Sequence, residues 1–283
     1  MKTIRLTETD LNRIIRRIIY EQDEFSNQIK WFRDYINSPK YIERLKKEFP
    51  GKDQKFIENE RNIRLQNLNS AEFKTSFVKS IGSSPGSISG MYYPKKNEGF
   101  YWDNMKKKWV IDTPNSNRGS VKFEREYNPK TWDPYPGYET IPTHEYGHAV
   151  DDGGTRIPQS TKEKIHRYTG GGNINDKYGS RPNYKSSTGN LEFDYISTPT
   201  EFINRIQPLR YLLQKEKIYD AKTKNFTEQD FHKMINNTKI TSDHFFEDIW
   251  KTLKGSETQK KRNFINLMNT VAMNNSNTSN NVA

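Results

Sequence analysis

The chain of 283 residues contains no cysteine. This excludes a disulfide framework, a thiolate nucleophile and any metal site with sulfur ligands. A metal would have to be held by His, Asp or Glu, and histidine is itself scarce, at five residues. Apolar side chains are also few, at 31% against 29% charged, with a mean hydropathy of −1.06. No stretch approaches the ~18 to 20 consecutive apolar residues of a membrane helix. Arg13, Arg16 and Arg17 break up the isoleucine pairs near the N-terminus, so neither a transmembrane segment nor a Sec-type signal peptide is expected, and no membrane partner. Acidic residues are outnumbered, giving a net charge of +11, but the excess is spread along the whole chain. A nucleic-acid binder usually gathers its charge into a stripe or arm, so a nucleic-acid partner is not expected. Against these shortages stands an aromatic content of 13%, which argues for a folded protein rather than a disordered one.

Residues 1–70 read as a helical N-terminal region. Thr7 and Asp10 offer a capping-type start to a run carrying Leu11, Ile14, Ile15, Ile18 and Ile19 at helical spacing. A second helix places Ile29, Phe32 and Ile36 on one face, with Trp31 and Tyr35 beside them. Ser38 and Pro39 then supply an N-cap and first-turn proline for a helix with Tyr41, Ile42, Leu45 and Phe49, which Pro50-Gly51 ends. From 71 to 137 the texture changes to Gly, Pro, Tyr and Trp with short alternating runs, among them Val121, Phe123, Arg125 and Tyr127, and a hairpin of 99–103 with 108–112. Helical patterns return after 137, interrupted by a Gly/Asn/Ser-rich loop over 169–190. Residues 274–283 read as a polar, disordered tail. The expected organisation is a helical region to 70, a catalytic domain over 71–273, and that tail.

Two of the five histidines fall within His144-Glu145-Tyr146-Gly147-His148. Positions four apart share a helix face, so both imidazoles can reach one ion, and the glutamate beside them projects toward the metal's open coordination position. At this composition such a string arises by chance with a probability of about 0.6%. Thr140 and Pro142 supply start signals and Asp152-Gly153-Gly154 a stop, framing a helix of about eleven residues. Gly147 costs about 1 kcal/mol relative to alanine inside a helix, which suggests that another backbone packs closely there.

A catalytic zinc site needs a third protein ligand and leaves the fourth position to water. The longer motif with a third histidine is absent, since Asp151 and Gly154 occupy the positions of its Gly and last His. The best candidate is Glu201, in the first turn of a helix started by Pro199. The same residue also fits a capping box over 198–201, in which it merely bonds the Thr198 amide. His166 and Asp151 are the remaining candidates.

HEYGHAVDD, His144 to Asp152, together with the downstream glutamate, resembles the zinc helix and glutamate helix of gluzincin peptidases, and is particularly similar to that of the anthrax lethal factor group. The stretch from about 138 to 240, with YISTPTEFINRIQPLR and IYDAKTKNFTEQDF, resembles zincin-like proteins of tailed bacteriophages, as does the opening MKTIRLTETDLNRIIRRIIYEQ. Those proteins tend to carry Ala-Arg where this chain has Asn204-Arg205, which leaves Arg205 as a supporting group beside the ligands. The resemblance implies an α+β, zincin-like fold, mostly helical with a small antiparallel or mixed sheet preceding the zinc helix. It also implies a Zn²⁺-dependent endopeptidase with His144, His148 and Glu201 as metal ligands and Glu145 as general base. Enzymes of the lethal factor group use a tyrosine shortly before the glutamate helix to stabilise the oxyanion. Tyr195 is the nearest match, with Tyr168, Tyr178 and Tyr184 as rivals. The expected partners are protein or peptide substrates and virion proteins, and the expected location is the host cytoplasm or the virion. The competing expectation is a phage virion structural or assembly protein whose metal site is not catalytic. Glu145 separates the two, because a structural site has no need of a base beside an open coordination position.

Overall fold

The computed structural model describes residues 26–70, 140–151, 156–169 and 191–269, together with the backbone of five short extended segments between 72 and 126. The expected first helix, around residues 7–19, the loop over 170–190 and the tail over 274–283 lie outside the described residues. Residues 26–36 form α1, followed by α2 (Pro39–Glu48) and α3 (Gln54–Ser70). After the extended segments come α4 (Ile141–Val150), α5 (Gln159–Thr169), α6 (Leu191–Ile196), α7 (Pro199–Lys215), α8 (Glu228–Ile235), α9 (Thr238–Thr241), α10 (His244–Thr252) and α11 (Glu257–Met268).

The fold-class expectation is corrected here. Of the residues whose side chains are described, 76% are helical and none lies in a strand, so the architecture is mostly helical rather than α+β with a sheet layer. Extended backbone pairing is confined to β1 (Glu72–Val78), β2 (Gly90–Tyr93), β3 (Gly99–Asp103), β4 (Lys108–Asp112) and β5 (Ser120–Glu126), with β1 beside β5 beside β2, and β3 beside β4. The described core is built instead by helices and the loops that join them.

Local chemistry accounts for the helix ends. Ser38 Oγ accepts from the Tyr41 amide at 3.1 Å, Pro39 occupies the first turn of α2, and Lys46 and Lys47 lie in its last turn, where cations suit the helix dipole. The chain then turns at Gly51, whose φ of 79° suits glycine. Thr227 and Asp230 form a complete capping box on α8.

The centre of the protein is α7. Every residue from Pro199 to Leu213 is buried, so this helix is enclosed on all sides rather than on one face. Its apolar positions Phe202, Ile206, Leu209 and Leu213 belong to one hydrophobic cluster with Trp31, Phe32, Tyr35, Tyr41, Leu45 and Ile57 of α1–α3. Trp31 stacks on Tyr35, meets Tyr211 edge-on at 5.6 Å, and donates to Gln214 Oε1 at 2.6 Å. At the other end Phe264 packs against Phe226, Phe231, Phe246 and Trp250, which ties α8, α10 and α11 together.

A buried charge network joins α2 and α3 to the end of α4. Arg64 donates to Glu60 Oε1 at 3.0 Å, to Glu48 Oε1 at 3.3 Å and to the Arg156 carbonyl at 3.1 Å, and it lies 3.9 Å from Asp151 Oδ1. Burial pushes the Glu48 carboxyl up to about 7 against the opposing pull of Arg64, which shows how much the guanidinium is needed there. Arg64→Ala would leave three buried carboxyls short of their shared cation. It should lower unfolding free energy by about 3 to 5 kcal/mol, read as a fall in the urea midpoint; a midpoint shift corresponding to less than about 1 kcal/mol would show the network to be incidental.

Candidate metal centre

The helix α4 is buried along its described length, an unusual setting for a segment containing two histidines and a glutamate. Thr140 stands at its N-cap position but makes no side-chain cap bond; its hydroxyl donates instead to Asp243 Oδ2 at 3.3 Å. The capping acceptor comes from another helix. Gln28 of α1 receives both the Thr143 amide, at 3.1 Å, and the Thr143 hydroxyl, at 2.6 Å, on its Oε1.

From α4, His144 and His148 turn their Nε2 atoms toward one point, 3.1 Å apart. Glu201, in the first turn of α7, closes the triangle. Its Oε2 lies 3.3 Å from His144 Nε2 and its Oε1 3.4 Å from His148 Nε2. All three residues are buried, and together they could hold a metal ion. No other group of three His, Asp or Glu residues with this capacity occurs among the described residues.

The capping-box reading of Glu201 is not what the structure contains. The Thr198 side chain makes no cap bond, its hydroxyl donating to the Tyr195 carbonyl at 2.9 Å. The Glu201 carboxylate is spent on the two imidazoles and on Arg205 Nη1, at 3.0 Å. Asp151 and His166 do not join the group. Asp151 sits past the end of α4 toward Arg64, and His166 is half-buried on α5.

The two imidazoles have opposite electrostatics. Burial takes His144 down to about 4, outweighing Glu201, so its imidazole is neutral near pH 7. For His148 burial is overcome by the Glu201 carboxylate, and its pKa is raised. Burial also disfavours a charge on Glu201, but His148 and His144 outweigh it and hold the carboxyl well below its ordinary range. Arg205 anchors this anion from behind and is itself held by Asp248 of α10, at 3.2 Å.

Glu145 is buried beside the three residues that could hold a metal, without being one of them. Its charge bears on both His148 and Tyr195. Tyr195 is 37% exposed as a residue, with the Arg205 guanidinium 5.4 Å from its ring centroid. Its hydroxyl is enclosed near Glu201, and burial followed by the Glu201 charge raises the phenol well above 10. Of its rivals, Tyr168 packs against the hydrophobic cluster with its hydroxyl bonded to Asn266, while Tyr178 and Tyr184 lie outside the described residues.

Four contributors went unread in the sequence. Gln28 caps α4 from a distance of more than a hundred residues. Phe245 stacks on His144 with ring centroids 5.0 Å apart. Asp248 holds Arg205. The fourth is Asn204, whose amide lies 2.9 Å from His148 Nδ1. The close approach at Gly147 is also corrected, because its neighbour is the Asn204 side chain rather than a backbone.

No protein-family model, no curated protein and no solved structure matches the chain. The site's own chemistry therefore carries the functional argument. Glu201→Gln should reduce metal uptake at least tenfold while the protein stays folded, because Asp248 still faces Arg205. Metal content per chain and a thermal melt on the same preparation check this; undiminished uptake would remove Glu201 from the ligand set.

Proposed function

We propose that this protein is a zinc-dependent endopeptidase of the gluzincin type, acting on protein or peptide substrates. The observation that supports it most is the convergence of two imidazole nitrogens, 3.1 Å apart, on one carboxylate, whose Oε2 lies 3.3 Å from one and Oε1 3.4 Å from the other. Tetrahedral zinc with bonds of roughly 2.0 to 2.1 Å sets its ligand atoms about 3.3 to 3.4 Å apart. Two bare ring nitrogens facing each other in a buried place repel unless a proton or cation lies between them, and two histidines with a carboxylate form a donor set that suits zinc.

When bound, zinc supplies Lewis acidity toward a carbonyl oxygen and makes water a stronger acid. The protein groups around it divide the remaining work. Glu145 takes the proton of the attacking water and later returns a proton to the leaving amine. Tyr195 donates its phenolic hydrogen to the negative charge developing on the scissile carbonyl. Arg205 and Asp248 keep Glu201 ionised and oriented. The resemblance to phage-encoded zincins extends the reading to a phage protein working in the host cytoplasm or virion; none of the described helices is long and apolar enough to cross a membrane.

Glu145→Gln should retain zinc and lose hydrolysis, followed by mass spectrometry of cleaved peptides in a proteome digest. Zinc uptake without cleavage by the unaltered protein would favour the virion structural alternative, and unchanged cleavage by Glu145→Gln would remove Glu145 as the base. Tyr195→Phe should keep zinc and lower kcat by about 10² to 10³. Normal turnover in Tyr195→Phe would reduce this ring to a packing role.

A further inference from the structure

Gly147 and Asn204 meet across the α4–α7 interface. A Cβ on residue 147 would stand 2.5 Å from Asn204 Oδ1 and 3.0 Å from its Cγ, far inside any normal contact. Residue 147 can therefore carry no side chain while residue 204 is asparagine in this position. Asn204 is wholly buried, and its Nδ2 lies 2.9 Å from His148 Nδ1. Its Oδ1 has no hydrogen-bond partner among the described residues, although a buried amide oxygen normally finds one.

An imidazole that offers Nε2 to a metal carries its proton on Nδ1, and that N–H needs an acceptor to fix the ring. A carboxamide can serve either tautomer. Turned one way it donates N–H to a bare Nδ1; turned by 180° it accepts from Nδ1–H through Oδ1, giving up its bond to Asp151. The other ligand is held differently. His144 Nδ1 has no hydrogen-bond partner among the described residues, and its ring rests against Phe245.

We propose that Asn204 is a positioning residue for the metal centre, orienting His148 and accepting a hydrogen bond from its Nδ1–H when Nε2 ligates, and that Gly147 is glycine in order to admit it. The inference rests on the metal reading of the site. It makes the two residues one device: a methyl group at 147 acts by evicting the amide at 204, so the two substitutions lose the same thing.

A double-mutant cycle tests this. Zinc affinity is measured by competition with a chromophoric chelator, and thermal midpoints are taken on the metal-free proteins, for the unaltered chain, Gly147→Ala, Asn204→Ala and the pair. Asn204→Ala should weaken zinc binding by about 10- to 100-fold. Gly147→Ala should weaken it comparably in the unaltered chain but add nothing in the Asn204→Ala background. There it should instead raise the metal-free midpoint, alanine being the better helix former. Asn204→Asp, which keeps an acceptor of the same shape, should bind zinc more tightly than Asn204→Ala. If Asn204→Ala does not fold, Asn204→Leu carries the same comparison at similar volume. Equal zinc affinity in Asn204→Ala and the unaltered chain would overturn the positioning role alone, as would a Gly147→Ala effect of the same size in both backgrounds. Failure of the unaltered chain to bind zinc would overturn the metal reading and this inference with it.

Discussion

The organisation of this protein turns on one buried carboxylate. Glu201 is ionised at the start of a helix that is buried along fifteen consecutive positions, and an unpaired charge in such a place would cost several kcal/mol. Its neighbours supply the compensation: two imidazoles from α4 on one side and the Arg205 guanidinium one turn along α7 on the other. Arg205 then requires an anion of its own, which Asp248 of α10 provides. The pairing of α4 with α7, and the docking of α10 onto both, follow from charges that must be satisfied together.

The same demand extends outward to the early helices. A fully buried α4 still needs its first amides satisfied, and Gln28 of α1 does so. Asp151, just past the other end of α4, faces Arg64 of α3. Helices before residue 70 therefore share a hydrophobic cluster with α7 and also close both ends of the helix that carries the histidines. The two imidazoles are held by contrasting means, His148 by a hydrogen-bonding amide and His144 by an aromatic face. His148 and Glu201 are thus held from α7 and His144 from α10.

The alternating runs between 71 and 137 do mark extended backbone, since 99–103 pairs with 108–112 and Val121, Phe123 and Arg125 lie in β5, but they did not set the fold class, because the architecture of the described side chains is helical. The helical signals were stronger because they combined periodicity with chemistry. Ser38 and Pro39 start α2 as their types imply, and Trp31, Phe32, Tyr35 and Ile36 are all buried on α1.

By itself the sequence determined that any metal site must be free of sulfur, that His144 and His148 share a helix face, and that Glu145 sits beside them. These are consequences of composition and of a 3.6-residue period, which are local. The third member of the group that could hold a metal was legible only as one of several candidates, because Thr198 to Glu201 satisfies the pattern of a capping box and of a ligand helix equally well. Tertiary structure decided between them by bringing α7 against α4 and leaving Thr198 to bond elsewhere. Gln28, Asn204, Phe245 and Asp248 carried no signal at all, since a hydrogen bond or stacked ring spanning tens to more than a hundred residues depends on which faces meet. Gly147 lies between the two cases: its cost in a helix announced a close neighbour, and only the packing could show that the neighbour is an amide aimed at a metal ligand.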